Sequence, residues 1–182
     1  RLLELAGKAQ LRKNLKQEIS RMLSDVKAGA LVGNFAGQWL QLRNLDVYQP
    51  DKKLFPMFTP ELRAAMRRET EELFSHIARE NHSVLEILSA DYSFLNERLA
   101  GFYGISGVKG NSFRRVSLRG IPRGGILTHA SVLTITSDPN RTSPVKRGKY
   151  VLENILGTPP PAPPPNVPPL PGDEGGAAKA NT

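Results

Sequence analysis

Between Thr158 and Pro171 nine of fourteen residues are proline. Proline has a fixed φ and no backbone N–H, so this run cannot enter a helix or the interior of a sheet. It is expected to be an extended polyproline II spacer. Gly172 to Thr182 continue it as a polar, Gly/Ala-rich tail expected to be disordered. Whatever folds must therefore do so within about residues 1–157, still enough for one domain with a real core. A hydrophobic content of 39% suits a globular domain. No stretch approaches the ~18–20 uninterrupted apolar residues of a spanning helix.

Within those 157 residues the periodicity is helical. Leu11, Leu15, Ile19, Met22 and Leu23 form one stripe of a helix expected over Leu2 to Val26. A second helix is expected over Ala28 to Asn44, with Leu31, Phe35, Trp39 and Leu42 on one face and Trp39 with Phe35 in the core. Gly29, Gly33 and Gly37 recur every fourth residue there and predict a seam where another helix comes close. Thr59, Pro60 and Glu61 spell N-cap, first turn and acidic start, so the next helix runs to about Arg79 and buries Leu62, Met66, Leu73 and Ile77. The mixed-sign run Arg67, Arg68, Glu69, Glu71, Glu72 reads as its solvated face. Ser83 to Glu86 has the capping-box pattern before a short helix to Leu88. Tyr92 to Tyr103 is expected to be partly helical through Asn96 to Ala100, and Phe113 to Leu118 to be a short strand or hairpin arm. Ile126 to Thr134 predicts a buried small-residue helix. Thr142-Ser143-Pro144 begins a last helix that Gly157 stops.

The chain has no cysteine, which excludes disulfides, thiolate metal sites, thiol catalysis and covalent haem c attachment within these residues. His76, His82 and His129 are scattered. His76 and His82 lie six apart, not the i,i+4 spacing that sets two ligands on one helix face. The N-terminus, Arg1-Leu2-Leu3-Glu4-Leu5, reads as a helix already under way, so the chain is expected to be cut from something longer. The net charge of +8 is local. Residues 1–108 carry fifteen Lys/Arg against thirteen Asp/Glu, whereas 109–149 carry nine against Asp138 alone. Any anionic partner must be sought in that second segment.

Four stretches carry a resemblance: Asn34-Phe35-Ala36-Gly37-Gln38-Trp39-Leu40, Ala90-Asp91-Tyr92-Ser93-Phe94-Leu95-Asn96-Glu97-Arg98-Leu99-Ala100, Arg123-Gly124-Gly125-Ile126-Leu127-Thr128 and Arg141-Thr142-Ser143-Pro144-Val145-Lys146-Arg147-Gly148. Together they resemble the large cytochrome-c-associated proteins of planctomycetes. The adjoining modules are domain-of-unknown-function families 1592, through about residue 119, and 1588, from about Arg123. The resemblance implies an exported, periplasmic or cell-envelope parent with cytochrome-like Cys-x-x-Cys-His modules on either side. It implies no activity, and any haem c belongs to the parent outside these residues. The expected fold is mainly α, an irregular helical domain with a short β-hairpin or extended segment. Residues 1–119 form the first module, 120–157 the truncated start of the second, and 158–182 the spacer and tail.

The candidate site is an anion- or partner-binding set: Arg119, Arg123, His129, Arg141, Thr142, Ser143, Lys146 and Arg147. A helix N-terminus with a hydroxyl pair and flanking cations could hold a carboxylate, phosphate or sulfate. Equally, Thr142 or Ser143 could cap the helix while Arg141 and Arg147 pair with Asp91 or Glu97. Arg123-Gly124-Gly125 could approach a ligand or simply make a turn. His129 could be a ligand contact or a hydrogen-bonded core histidine, and Asp91 an Asx-type cap before Tyr92. No catalytic, metal or cofactor residue is assigned. The expected function is a non-catalytic scaffold whose partners are other modules of the same polypeptide, cytochrome-like ones included. The alternatives are an anionic polysaccharide-binding module and half of an active site completed by a C-terminal cytochrome-like segment outside these residues. Nucleic acid is disfavoured, for no aromatic platform accompanies the basic residues.

Overall fold

The computed structural model describes residues 1–161. The expected spacer and tail therefore lie outside the described residues from 162 onward. The N-terminal region holds α1 (Leu2–Gly7) and α2 (Leu11–Leu23), then a 3-10 turn over Val26–Ala28. The single helix expected from Leu2 to Val26 is broken because Ala9 takes a left-handed φ of 53°. The second expected helix is replaced by a π-helical stretch over Leu31–Ala36, a short α3 (Gly37–Trp39) and α4 (Asn44–Val47). Three glycines weaken the α preference there. A Cβ at Gly29, Gly33 or Gly37 would meet nothing within 4 Å, so these glycines form no close helix seam. Phe35 is 52% exposed rather than core, although its ring stays near Trp39 and Phe74.

The spine is α5 (Pro60–Arg79). Thr59 is its N-cap: its hydroxyl accepts the Leu62 N–H at 3.2 Å. Leu62, Met66, Leu73 and Ile77 are buried as the spacing requires. The mixed-sign run is not all solvated, however, since Glu69 and Thr70 are buried too. After it, α6 (Glu86–Ser89) starts without the expected capping box. The Ser83 hydroxyl accepts from Leu85 N–H, and the Glu86 carboxylate turns to His82 and Tyr92.

The expected partly helical segment divides into β1 (Tyr92–Leu95) and α7 (Glu97–Phe102), with Asn96 Oδ1 accepting from Leu99 N–H at 3.0 Å. β1 pairs antiparallel with β2 (Arg114–Ser117), Tyr92 opposite Ser117 and Leu95 opposite Arg114. The helix expected over Ile126 to Thr134 is a 3-10 turn (Ile126–Thr128) and α8 (Ala130–Ile135), separated by the extended backbone of His129. β3 (Ser137–Asp138) and β4 (Arg141–Thr142) make a two-residue ladder. Then α9 (Pro144–Tyr150), capped by Ser143, runs on as a π-helical turn over Val151–Ile155.

Two apolar clusters pack on α5. One joins Leu40, Leu42, Leu73, Ile77, Ile87, Tyr92 and Ile126. The other joins Leu62, Met66, Leu95, Leu99, Val108 and Ala130. Residues 120–157 share these cores with the first 119. Trp39 Nε1 donates to the Asn154 carbonyl at 2.7 Å and Tyr150 Oη to the Leu40 carbonyl at 3.2 Å, which fastens the C-terminal helices to α3.

Candidate functional site

Along α5 the buried stripe passes from Met66 to Leu73 through Glu69 and Thr70, and these two polar residues start a buried network between the apolar clusters. Ser93 of β1 and Tyr103 just after α7 donate to the two Glu69 carboxylate oxygens at 2.7 and 2.5 Å. The Tyr103 hydroxyl accepts Ala130 N–H at 2.8 Å. Thr70 Oγ1 lies 2.9 Å from His129 Nδ1 and 2.7 Å from Ser131 Oγ. Burial above all pushes the His129 imidazole below its ordinary value; Glu69 opposes this and Arg123 reinforces it. The ring is therefore neutral near pH 7, so its 3.9 Å contact from Nε2 to Glu69 is no ion pair, and among the described residues Nε2 has no hydrogen-bond partner. A neutral ring fits a chain of donors from Ser131 to Thr70 to His129 Nδ1. Burial pushes the Tyr103 phenol up, Glu69 adding to it.

A hydroxyl beside an imidazole is the pattern of an activated nucleophile. Here Thr70 and Ser131 are 0% exposed and His129 1%, so no substrate can reach the oxygen. The network instead pairs Glu69, Thr70, Ser93, Tyr103 and Ser131 with one another and with His129 Nδ1 between two apolar clusters, leaving His129 Nε2 unpaired among the described residues.

One accessible feature is a cavity of about 620 Å³ between the 48–58 connection, α8 and the β3–β4 ladder. Leu54, Phe55, Met57, Phe58, Phe102 and Leu133 give it an apolar lining, and Arg123, Arg141, Thr142 and Arg147 belong to its wall. Half of the sequence-derived set therefore meets at one place. The rest does not. Arg119 pairs with Asp91 at 2.8 Å, which holds the Asp91 carboxyl below the usual range. His129 belongs to the buried network, Ser143 is an N-cap, and Lys146 pairs with Asp138 at 2.5 Å. Arg141 also pairs with Asp138, at 3.5 Å, rather than with Asp91 or Glu97. Glu97 is held low by the Gly110 N–H and then by Lys109. Gly124-Gly125 is a close backbone approach to protein, not ligand: a Cβ on Gly125, at φ +59°, would stand 2.2 Å from the Leu88 carbonyl oxygen.

Sequence reasoning missed Glu69, Thr70, Ser93, Tyr103 and Ser131. The available signal was phase, since Leu62, Met66, Glu69 and Leu73 are spaced by three and four and so lie on one helix stripe. It also missed Leu54 to Phe58 as cavity wall.

Among the described residues no group of three or more His, Asp and Glu is placed to hold a metal ion, and the whole sequence lacks the thiols needed to attach haem c. Haem c therefore does not fit these residues. No helix among the described residues is long and apolar enough to cross a membrane. Residues 123–182 match the family described as protein of unknown function DUF1588, PSCyt3, and residues 1–105 the family described as protein of unknown function DUF1592, PSD4. No curated protein and no solved structure matches the chain. The PSD4 match spans more than half of the sequence, and the chain belongs to the DUF1592 family, with a DUF1588 segment following in the same polypeptide.

Proposed function

We propose that this chain is a non-catalytic docking module of a larger exported, cytochrome-c-like redox protein, in which its helical body seats neighbouring modules and the proline run spaces the next one. The observation that carries this reading is the uncovered stripe on α2. Leu15, Ile19 and Met22 recur at helical spacing and are each 48% exposed. On the π-helical stretch Leu31 and Phe35 are partly exposed as well, at 43% and 52%. Apolar side chains in register on one face, only half covered, are what a packing partner removes from water. The name PSCyt3 attached to the second family supports a cytochrome-associated parent.

The anionic-polysaccharide alternative draws less support. Of the nine cations in 109–149, Lys109, Arg119, Arg141, Lys146 and Lys149 are paired with carboxylates. The test is hydrogen exchange on the full parent polypeptide carrying Leu15→Gln, Ile19→Gln and Met22→Gln together. Docking requires neighbouring modules to lose protection while α5 keeps its own. Unchanged protection in every neighbour would defeat the reading.

A further inference from the structure

The cavity has no role in docking through α2, and its composition is selective. We infer that it is a binding site for a monoanionic amphiphile, a small molecule with an apolar body and one carboxylate. A volume of about 620 Å³ lies in the range of small-molecule sites. The lining from Leu54 to Phe58, with Phe102 and Leu133, offers apolar and aromatic surface. Such a wall suits neither a sugar polymer nor a bare inorganic anion, which leave it wet.

The charge is equally one-sided. Among the described residues the wall sets Arg123, Arg141 and Arg147 against the carboxylate of Asp138, which is already held by Lys146 at 2.5 Å and Arg141 at 3.5 Å. Arg123 and Arg147 are half-buried, and among the described residues neither has a carboxylate partner. Arg123 donates to the Thr128 carbonyl at 2.7 Å and lies 3.8 Å over the Tyr103 ring, which fixes its plane. Among the described residues the Arg147 guanidinium makes long bonds to the Thr136 and Ser137 hydroxyls, at 3.4 and 3.5 Å. A guanidinium has five donors, and one half-withdrawn from water without a counter-charge favours an anion beside it. An apolar body in the lining would set a carboxylate at these two guanidinia.

Isothermal titration of the full chain tests this with two matched pairs, octanoate against 1-octanol and 2-naphthoate against 2-naphthalenemethanol. The expected result is one-to-one binding of a carboxylate, with its alcohol about tenfold weaker or more. Preference for octanoate assigns a flexible chain and preference for naphthoate a flat ring; either supports the site. Arg147→Met, which keeps the apolar stem, should weaken the carboxylate several-fold and leave the alcohol unchanged, while Arg147→Lys should recover part of the loss. If Arg123→Gln fails to fold because the Tyr103 stack is lost, Leu133→Trp, which fills the cavity, gives the same readout by abolishing carboxylate binding. Equal affinity for acid and alcohol overturns the inference, as does absence of binding by both acids. So does carboxylate affinity indifferent to Arg147→Met.

Discussion

The part of the molecule built on α5 and the part built on α2 use similar amphipathic patterns to different ends. On α5 the stripe from Leu62 to Ile77 is fully covered, and the two polar residues that interrupt it are satisfied by Ser93, Tyr103, His129 and Ser131. On α2 the stripe of Leu15, Ile19 and Met22 stays half in water. An apolar periodicity fixes which face of a helix seeks cover, not whether the same chain supplies it. The α5 region covers its own stripe; on the docking reading proposed above, the α2 region would be completed from outside.

The sharpest break of that contrast is a cavity in the covered stripe. Leu73 is 0% exposed, and Leu73→Ala is expected to cost about 2–5 kcal/mol in urea unfolding of the chain. A loss below about 1 kcal/mol would mean that the α5 core is no better packed than the α2 face. Next in size is Glu69→Gln. The amide keeps one acceptor and puts a donor where the Ser93 or Tyr103 hydroxyl now donates, so one buried donor goes unmet, at a cost of about 1–3 kcal/mol. A neutral outcome would show that the network can be repacked without loss.

How much of this was legible in the sequence follows the same divide. The start of α5 was readable from Thr59 and Pro60, because capping and proline chemistry are local. Arg114 to Ser117 was recognisable as a strand arm, but its partner Tyr92–Leu95 was not, since four residues declare a strand only when paired with others far along the chain, as Tyr92 is with Ser117. The widening of Leu31–Ala36 into a π-helix was illegible, because Gly33 with its flanking Gly29 and Gly37 suits a packing seam as well as a distorted helix. Glu69 was misjudged when the charge run was weighed above its phase between Met66 and Leu73. At the cavity, the concentration of charge in 109–149 led to Arg123, Arg141 and Arg147. It could not separate them from Arg119 and Lys146, whose carboxylate partners are fixed only by the fold. The apolar wall stayed hidden because Leu54 to Phe58 lie in a connection without periodicity.

Protonation probes the α5 region more gently. Burial depresses the His129 pKa, and it is also the largest influence lowering that of His76, with His82 and Arg115 adding to it. Near and below pH 6.5 the unfolded chain binds protons that the folded chain refuses, so stability should fall as pH drops from 7 to 5. The carboxylates held low, Glu86, Asp91 and Glu97, lose their contribution only further into acid. Urea midpoints at pH 7, 6 and 5 should therefore decline, and His129→Gln should flatten part of the slope, leaving the share of His76. A flat profile in the unsubstituted chain would place both rings in contact with water. At the other extreme, Tyr92 is pushed up to about 12, chiefly by burial and then by Glu86, so its contribution is lost as pH rises above about 10.

The smallest effect belongs to the α2 face. Leu15 is 48% exposed, so Leu15→Gln in the chain alone removes little buried surface and should change stability by no more than about 0.5 kcal/mol. The same substitution in the parent polypeptide should cost more, because there the side chain would be covered by the module docked on it. Each fully buried apolar residue is worth about 1.5–3 kcal/mol relative to its exposed state, and half of that difference is still outstanding at Leu15. The two measurements together separate a surface awaiting a partner from a surface that is merely apolar. If the cost is equally small in both settings, nothing covers α2, and its stripe is ordinary exposed surface. If it is large in the chain alone, the helix is already packed and the contrast with α5 disappears.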